Sequence, residues 1–206
     1  RMKLSKQKIF LIIIISFAFL IGCSRNKSYI EDYEYGLLYT SNSGSVVSLY
    51  DKQGENLGEK NLNVSGITFG SFMKNGIEVK DKLYYAAPLA GSNQQDFVVE
   101  MDKDKLSVSK IKSTGVTPTF FSSDGKYTFS GISSLNNSQI IKTDIEKNKV
   151  IGTNELEGQG INMIEDGNQL YILSINHNDS GKSTSGNLYT IDKSSFKVLN
   201  KIVVED

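Results

Sequence analysis

The sequence predicts an all-β protein, and three observations support that prediction. Beyond residue 34 the chain consists of short runs rich in Val, Ile, Tyr, Phe and Thr, separated by turns that contain Gly, Asn and Asp. No stretch of roughly 11 residues or more carries a helical stripe of apolar side chains. The same strand types recur four times, at steps of 42 to 51 residues. A repeat of that length with about four strands per unit predicts four-stranded antiparallel sheets stacked side by side.

The segment before this repeat has the pattern of an export signal. At the N-terminus four basic residues are followed by a run over residues 9–21 that is apolar except for Ser16. As a helix these 13 residues would span about 20 Å, which is less than the ~30 Å hydrocarbon core of a bilayer. The sequence therefore predicts a signal peptide over residues 1–22 and argues against a membrane-spanning helix.

Cys23, the only cysteine of the chain, directly follows Leu20, Ile21 and Gly22. A plain secretory signal is cut after an A-x-A-like triplet and needs no cysteine. The arrangement found here resembles the lipobox of bacterial lipoproteins, in which an aliphatic residue and two small or aliphatic residues precede a cysteine. The resemblance implies that a dedicated signal peptidase recognises Leu20, Ile21 and Gly22 and cuts before Cys23. It also implies that the Cys23 thiol carries a diacylglyceryl group and that the new amine receives an acyl chain such as palmitate.

Such a protein is expected at the cell membrane, anchored by lipid on its extracytoplasmic face. Each buried CH2 of an acyl chain contributes about 0.8 kcal/mol, so two or three chains hold a protein where one is marginal. Residues 23–34 are polar after the cysteine and predict a short tether between the lipid and the domain. Membrane lipid is thus the first partner that the sequence predicts.

Composition limits what the mature chain does. Removing residues 1–22 leaves 184 residues with 19 basic and 23 acidic side chains, a length that suits one domain. This balance argues against nucleic acid as a partner and against adhesion to anionic lipid through a basic patch. With Cys23 modified no thiol remains, so the apolar core must hold the fold without disulfides.

Two strand types define the repeat. The first contains Tyr39, Tyr85, Phe129 and Ile172, which predicts that these four residues are equivalent, at steps of 46, 44 and 43. The second ends in an aspartate each time, at Asp51, Asp102, Asp144 and Asp192. An aspartate at a strand end accepts hydrogen bonds from the backbone two residues on, so we expect these residues to shape turns and not to form a charged site. The recurring tyrosines are expected to lie mostly in the core, and some to line a channel.

Tight-turn dipeptides stand before three of the four repeats, at Asn75–Gly76, Asp124–Gly125 and Asp166–Gly167, and they predict type I′ hairpin turns. The third repeat, residues 113–127, resembles the YVTN-type β-propeller repeat, although Ser123 stands where that family has proline. The resemblance implies β-propeller-like blades of four antiparallel strands over residues 35–206. An ordinary β-sandwich of unequal strands is the alternative.

The repeats amount to about three and a half to four blades, with the first repeat lacking its innermost strand. Most propellers have four to eight blades. Three outcomes are open: the chain is truncated, it closes as a four-bladed ring, or its open blade edges pair with another copy. Unpaired strand edges favour such self-association.

The chemistry-bearing residues give no strong catalytic motif. His177, the only histidine, stands near Asp179 and Ser180 in a polar stretch, and we expect a solvated loop between two strands there rather than a catalytic triad. The same stretch lacks the first glycine of a phosphate-binding loop and the first aspartate and last glutamate of a calcium loop. We therefore expect no catalytic residue, no cofactor and no metal site.

These observations favour a lipid-anchored surface module that binds a protein, a peptide or a glycan without catalysis. One alternative is a propeller enzyme of the lactonase or quinoprotein type whose site is incomplete in this chain. Another is a degenerate fragment without activity. The fold alone does not favour any of these three functions, because function depends on the residues of a particular site.

Overall fold

A computed structural model of the 206-residue chain describes residues 33–41, 44–64, 76–85, 97–112 and 118–205. All regular structure in these residues is β-strand, and no helix there is long and apolar enough to cross a membrane. The fifteen strands form four antiparallel sheets that succeed one another along the chain. We refer to each sheet as a blade.

Blade 1 contains β1 (Tyr35–Ser41), β2 (Gly44–Tyr50) and β3 (Asn56–Leu62). Blade 2 contains β4 (Ile77–Val79), β5 (Lys82–Tyr85), β6 (Phe97–Asp102) and β7 (Val108–Lys112). Blade 3 contains β8 (Phe120–Ser123), β9 (Tyr127–Ser133), β10 (Asn137–Asp144) and β11 (Lys149–Glu157). Blade 4 contains β12 (Gln159–Asp166), β13 (Gln169–His177), β14 (Ser183–Asp192) and β15 (Val198–Glu205).

The predicted repeat is confirmed at the level of the sheets. Strands within each blade pair in chain order, so every blade is a simple meander. Blades 2 to 4 have four strands each, and the described part of blade 1 has three because the strand equivalent to β4 is not among its described strands. A β-sandwich, the alternative expectation, does not describe four consecutive meanders.

The strand ladders correct the predicted residue-by-residue repeat. Equivalent positions in the four blades can be found by counting back from the strand-end aspartate. The residue three positions before that aspartate pairs with a residue on the preceding strand, and in blades 1 to 4 this partner is Leu37, Tyr85, Ser130 and Ile172. The predicted equivalents Tyr39 and Phe129 are therefore wrong by two residues and by one residue, respectively. Because side chains alternate between the faces of a strand, the one-residue error places Phe129 on the wrong face of blade 3. The apolar pattern could not reveal this, since neighbouring positions on β9 are both buried.

The hairpin turns at the start of each blade also differ from the prediction. The turns lie at Lys80–Asp81, Gly125–Lys126 and Gly167–Asn168, and only the first residue of each pair has a positive φ, at 58°, 80° and 55°. Type I′ requires a positive φ at both central residues, so this pattern matches type II′ instead. In blade 2 the predicted Asn75–Gly76 is not the turn: Gly76 directly precedes β4, and Asn75 lies outside the described residues.

The strand-end aspartates shape turns as the sequence predicts, but the predicted hydrogen bond from the backbone N–H two residues on is made by Asp51, whereas the other three accept mainly from the N–H one residue further on. The Oδ1 atom of Asp102, Asp144 and Asp192 accepts a hydrogen bond from the backbone N–H three residues on, at 2.8, 2.9 and 2.6 Å. Asp51 accepts from the residues two and four positions on, at 2.9 and 2.8 Å. These hydrogen bonds lower the pKa of Asp144 and of Asp192. Each aspartate thus shapes the turn to the outermost strand of its blade.

The core lies between blades and not within them. Each blade has a rear face, turned towards the preceding blade, and a forward face, turned towards the following one. The clusters between blades 1 and 2, 2 and 3, and 3 and 4 include, respectively, Val47 with Met101, Val98 with Phe121, and Ile140 with Leu170. Burying one such aliphatic side chain contributes about 1.5–3 kcal/mol.

The recurring tyrosines Tyr84, Tyr85 and Tyr189 are buried as expected, whereas Tyr39 is exposed on the rear face of blade 1.

Candidate functional site

The predicted lipidation site, Cys23 with Leu20, Ile21 and Gly22, lies outside the described residues, which begin at Tyr33. Tyr33 already contacts the domain: its hydroxyl donates to the carbonyl of Lys103, and its ring packs against the cluster between blades 1 and 2. Burial raises the pKa of Tyr33, and the nearby Asp104 raises it further. Tyr33 is ten residues after Cys23, so the two lie at most about 36 Å apart when the chain between them is fully extended. A lipid on Cys23 would thus hold blades 1 and 2 close to a membrane surface.

His177 is the last residue of β13 and closes the strand pair at the end of blade 4. Its Nε2 lies 2.9 Å from Oε1 of Gln159, and its Nδ1 lies 3.2 Å from the carbonyl oxygen of Gly181. Neither Asp179 nor Ser180 is among these hydrogen-bond partners. The expected loop between two strands is confirmed, although it is shorter than the polar stretch suggests and covers only residues 178–182.

The loop over residues 178–182 has a defined backbone. Oδ1 of Asn178 accepts hydrogen bonds from the N–H groups of Ser180 and Lys182, at 3.1 and 3.0 Å, and from the Ser180 hydroxyl at 2.7 Å. Gly181 has a φ of 76°, a value that suits glycine. The loop therefore presents its exposed polar groups on a fixed backbone.

Beneath this loop a polar network surrounds the carbonyl of Glu157, where the chain passes from blade 3 to blade 4. The Glu157 carbonyl accepts from the hydroxyls of Ser174 and Tyr189, at 2.9 and 3.1 Å. The fully buried Asn187 side chain donates to Oδ1 of Asn176 at 2.9 Å and to Oγ of Ser174 at 3.2 Å. These bonds fix β13 and β14 against the preceding blade, which is a positioning role and not a catalytic one.

An ion cluster joins blades 3 and 4 at the opposite end of the strands. The Lys193 amine lies 3.1 Å from Oδ2 of Asp124, in the β8–β9 turn, and donates to Oε2 of Glu165 on β12. Burial alone would lower the pKa of Lys193, but these two carboxylates outweigh it and raise the pKa. Sequence reasoning missed this cluster, because Lys193 and Asp124 are far apart in the chain and the Asp124–Gly125 dipeptide predicts a turn and no ion pair.

Asp124 is held in its charged form by the same cluster. Burial alone would raise the pKa of Asp124, but hydrogen bonds from the N–H groups of Tyr127 and Lys126, at 2.7 and 2.9 Å, and the Lys193 charge together lower it. The charged form is therefore favoured in the folded protein.

The acid sensitivity of the fold is expected to depend on Asp124. Since its pKa is lowered from the ordinary 3.8, the stability that it provides is fully present above that value and is lost as the pH falls through the folded-state pKa. Asp124→Asn should therefore lower the melting temperature at about pH 7, and the difference from the wild type should shrink at about pH 2. Thermal unfolding followed by circular dichroism measures both values. Asp179→Asn, on the exposed loop, should follow the wild type at both pH values, and an Asp124→Asn deficit that does not change with pH would contradict the expectation.

Within the described ranges no group of three or more His, Cys, Asp or Glu side chains is arranged to hold a metal ion. The carboxylates that do come together there, Asp124 and Glu165, share the Lys193 amine.

Comparison with known proteins supports the fold. No family model matches the chain, and no curated protein matches it at a significant level. Hydrazine synthase of Kuenenia stuttgartiensis superposes with a TM-score of 0.51 and 16% identity, over 79% of this chain and 49% of that one. Dihydro-heme d1 dehydrogenase NirN in complex with DHE gives 0.54 and 14%, over 87% and 38%. The Dos1 propeller gives 0.53 and 14%, over 87% and 52%.

The chain thus spans about half or less of the length of these structures. At this level of identity the likeness concerns the fold alone. Four consecutive antiparallel meanders that superpose on a propeller confirm the expectation from sequence: the chain is an all-β protein built from β-propeller-like blades.

Proposed function

We propose that the protein is a membrane-anchored bacterial surface lipoprotein that acts as a non-catalytic binding module. The position of Cys23 carries the proposal. The cysteine directly follows the aliphatic-aliphatic-small triplet Leu20, Ile21 and Gly22, and the first two of these end the mainly apolar run over residues 9–21. The domain begins within ten residues of this cysteine, since Tyr33 is already packed on blades 1 and 2. The lipid would localise the blades on the extracytoplasmic face of the membrane.

The blade loops would supply the binding surface. Among the described loops, residues 178–182 combine exposed polar groups with a backbone that Asn178 fixes. A preformed loop loses little conformational entropy when it binds, and its hydroxyl, amide and amine groups suit hydrogen-bonding ligands such as a protein, a peptide or a glycan. The rigid blades beneath it would hold this surface in place.

Replacing Cys23 tests the anchor. Cys23→Ser removes the thiol that forms the thioether, so we expect complete loss of labelling by an alkyne-tagged fatty acid and loss of cleavage after residue 22. The variant should remain as precursor or leave the membrane fraction, whereas Ser24→Ala, which keeps the cysteine, should be labelled and retained. Fatty-acid labelling with immunoblotting of membrane and soluble fractions measures these results. Normal cleavage and membrane retention of Cys23→Ser would overturn the proposal.

A further inference from the structure

The two outermost blade faces of the chain are built like faces that are buried elsewhere in it. We propose that the forward face of blade 4 packs on the rear face of blade 1 of a second copy of this chain, head to tail. Two such contacts would close a ring of two chains. The inference does not depend on the lipid anchor, because it rests on the blades alone.

The forward face of blade 4 matches that of blade 2, position by position. Ile77, Tyr84, Val98 and Ile111 of blade 2 pack against Phe121 of blade 3. The strand ladders give their counterparts in blade 4 as Ile164, Tyr171, Leu188 and Ile202. Ile111 is 3% exposed, whereas its counterpart Ile202 is 49% exposed. Blade 4 thus displays a face of the type that covers another blade, without a described blade upon it.

The rear face of blade 1 is the complementary surface. Tyr35 and Leu37 are 55% and 50% exposed. Their counterparts Leu170 and Ile172, at the same distances from the strand-end aspartate, are fully buried against blade 3. A rear face of this type packs on the forward face of a preceding blade, which is the surface that blade 4 offers.

A charge pair specifies which blade meets which. At the two interfaces where both positions are described, blades 2–3 and 3–4, two positions come together. One is the last residue of the earlier blade's first strand or the residue just after it, and the other is the residue directly after the later blade's strand-end aspartate. Val79 and Ile145 pack against the same cluster between blades 2 and 3, and Asp124 pairs with Lys193 at 3.1 Å between blades 3 and 4. By the same register, Asp166 of blade 4 would meet Lys52 of blade 1.

Both members of this third pair are exposed. The turn after Asp51 is one residue shorter than the turn after Asp192, but Lys52 still directly follows the aspartate. The two positions are both apolar between blades 2 and 3 and are an acid and a base between blades 3 and 4, and the proposed contact would again pair an acid with a base. The open faces of one chain therefore complement each other in charge as well as in apolar surface.

A contact between two different patches either closes a ring or grows into a filament. Two copies together have eight described blades, which lies within the four to eight blades of most propellers. We therefore expect a discrete dimer.

Zero-length carbodiimide cross-linking of the full chain in mild detergent tests the contact, because the reagent joins an amine to a carboxylate only where the two touch. Equal amounts of unlabelled and 15N-labelled chain are mixed and digested after the reaction. We expect a peptide joining Lys52 to Asp166, about half of it of mixed isotope composition. The Asp124–Lys193 product, which is intramolecular and never mixed, is the internal control.

Variants on the two faces test whether the forward face of blade 4 in one chain contacts the rear face of blade 1 in the other. Leu37→Asp and Ile202→Asp should each reduce the Lys52–Asp166 product at least tenfold, whereas Leu135→Asp, at an exposed turn away from both faces, should not. A mixture of unlabelled Leu37→Asp with labelled Ile202→Asp should restore one product only, with unlabelled Asp166 joined to labelled Lys52. The Asp124–Lys193 product shows that each variant is folded.

Light scattering should give the mass of two chains. A chain that stays monomeric and yields only the Asp124–Lys193 product would overturn the proposal, and would leave both faces to further blades of a longer chain. A ladder of higher multimers would overturn the closed ring.

Discussion

Ile140→Ala is expected to lower the free energy of unfolding by about 2–5 kcal/mol, because it leaves a cavity between blades 3 and 4. Ile140 is fully buried in the cluster that also holds Phe129 and Leu170. Since the core of this protein lies between blades, the loss would separate two blades and not merely loosen one strand. Urea unfolding measures the change, with an unchanged slope as evidence that the unfolded state is not altered. The melting temperature should fall by about 2–4 °C for each kcal/mol.

Ile151→Ala is the matched control, since it makes the same chemical change in the same blade. Ile151 is the extra residue of a β-bulge in β11 and is about half exposed. Its replacement should change the free energy of unfolding by no more than about 0.5 kcal/mol. Equal losses in the two variants would show that packing between blades does not provide the main stabilisation.

Features that depend on neighbours in the chain were predictable from sequence. The strand-end aspartates are an example: Asp144 bonds to an N–H only three residues away, so its role follows from the local letters. The four sheets were predictable in the same way from the recurrence of whole strands. The turn after β4 was not predictable, because Lys80 has a positive φ that lysine rarely adopts and no dipeptide signals it.

Features that depend on how blades pack were beyond the sequence. In the sequence Lys193 is an ordinary lysine in a polar turn. It comes close to Asp124 only because blade 4 packs on blade 3. The exposed faces that contain Leu37 and Ile202 have the alternating pattern of ordinary strands in the sequence. Only the register shows that the equivalent residues in other blades are buried against a neighbouring blade. The candidate binding loop was seen as a polar stretch, but the fixing role of Asn178 needed the structure. Local patterns therefore gave the strands, and packing gave the surfaces that carry the proposals.

Gly131→Ala is expected to destabilise the domain by about 1–3 kcal/mol or more through overpacking. Gly131 pairs directly with Phe120, and a Cβ at residue 131 would lie 2.1 Å from Cζ of that ring, far inside contact distance. The ring cannot move aside, because a Cβ on Gly160 would meet it from another side at 2.4 Å. The Phe120 ring thus fills the space of two missing side chains. Gly186→Ala is the control: its nearest neighbour is the Ser174 carbonyl at 3.5 Å, so the change should be neutral or stabilise by up to about 1 kcal/mol.

A double-mutant cycle separates overpacking from a backbone effect. Phe120→Ala alone should cost about 3–5 kcal/mol, because it empties a fully buried site. Once the ring is gone, the new Cβ at residue 131 has room and even fills part of the cavity, so the double variant should be more stable than the sum of the two losses predicts. We expect a coupling energy of about 0.5–3 kcal/mol from urea unfolding of the four proteins. Strict additivity would mean that Gly131→Ala destabilises the domain through the backbone conformation of residue 131. The explanation by a steric clash with the Phe120 ring would then be wrong. A positive coupling would show that the Phe120 ring fills the space that Gly131 leaves open between β8 and β9.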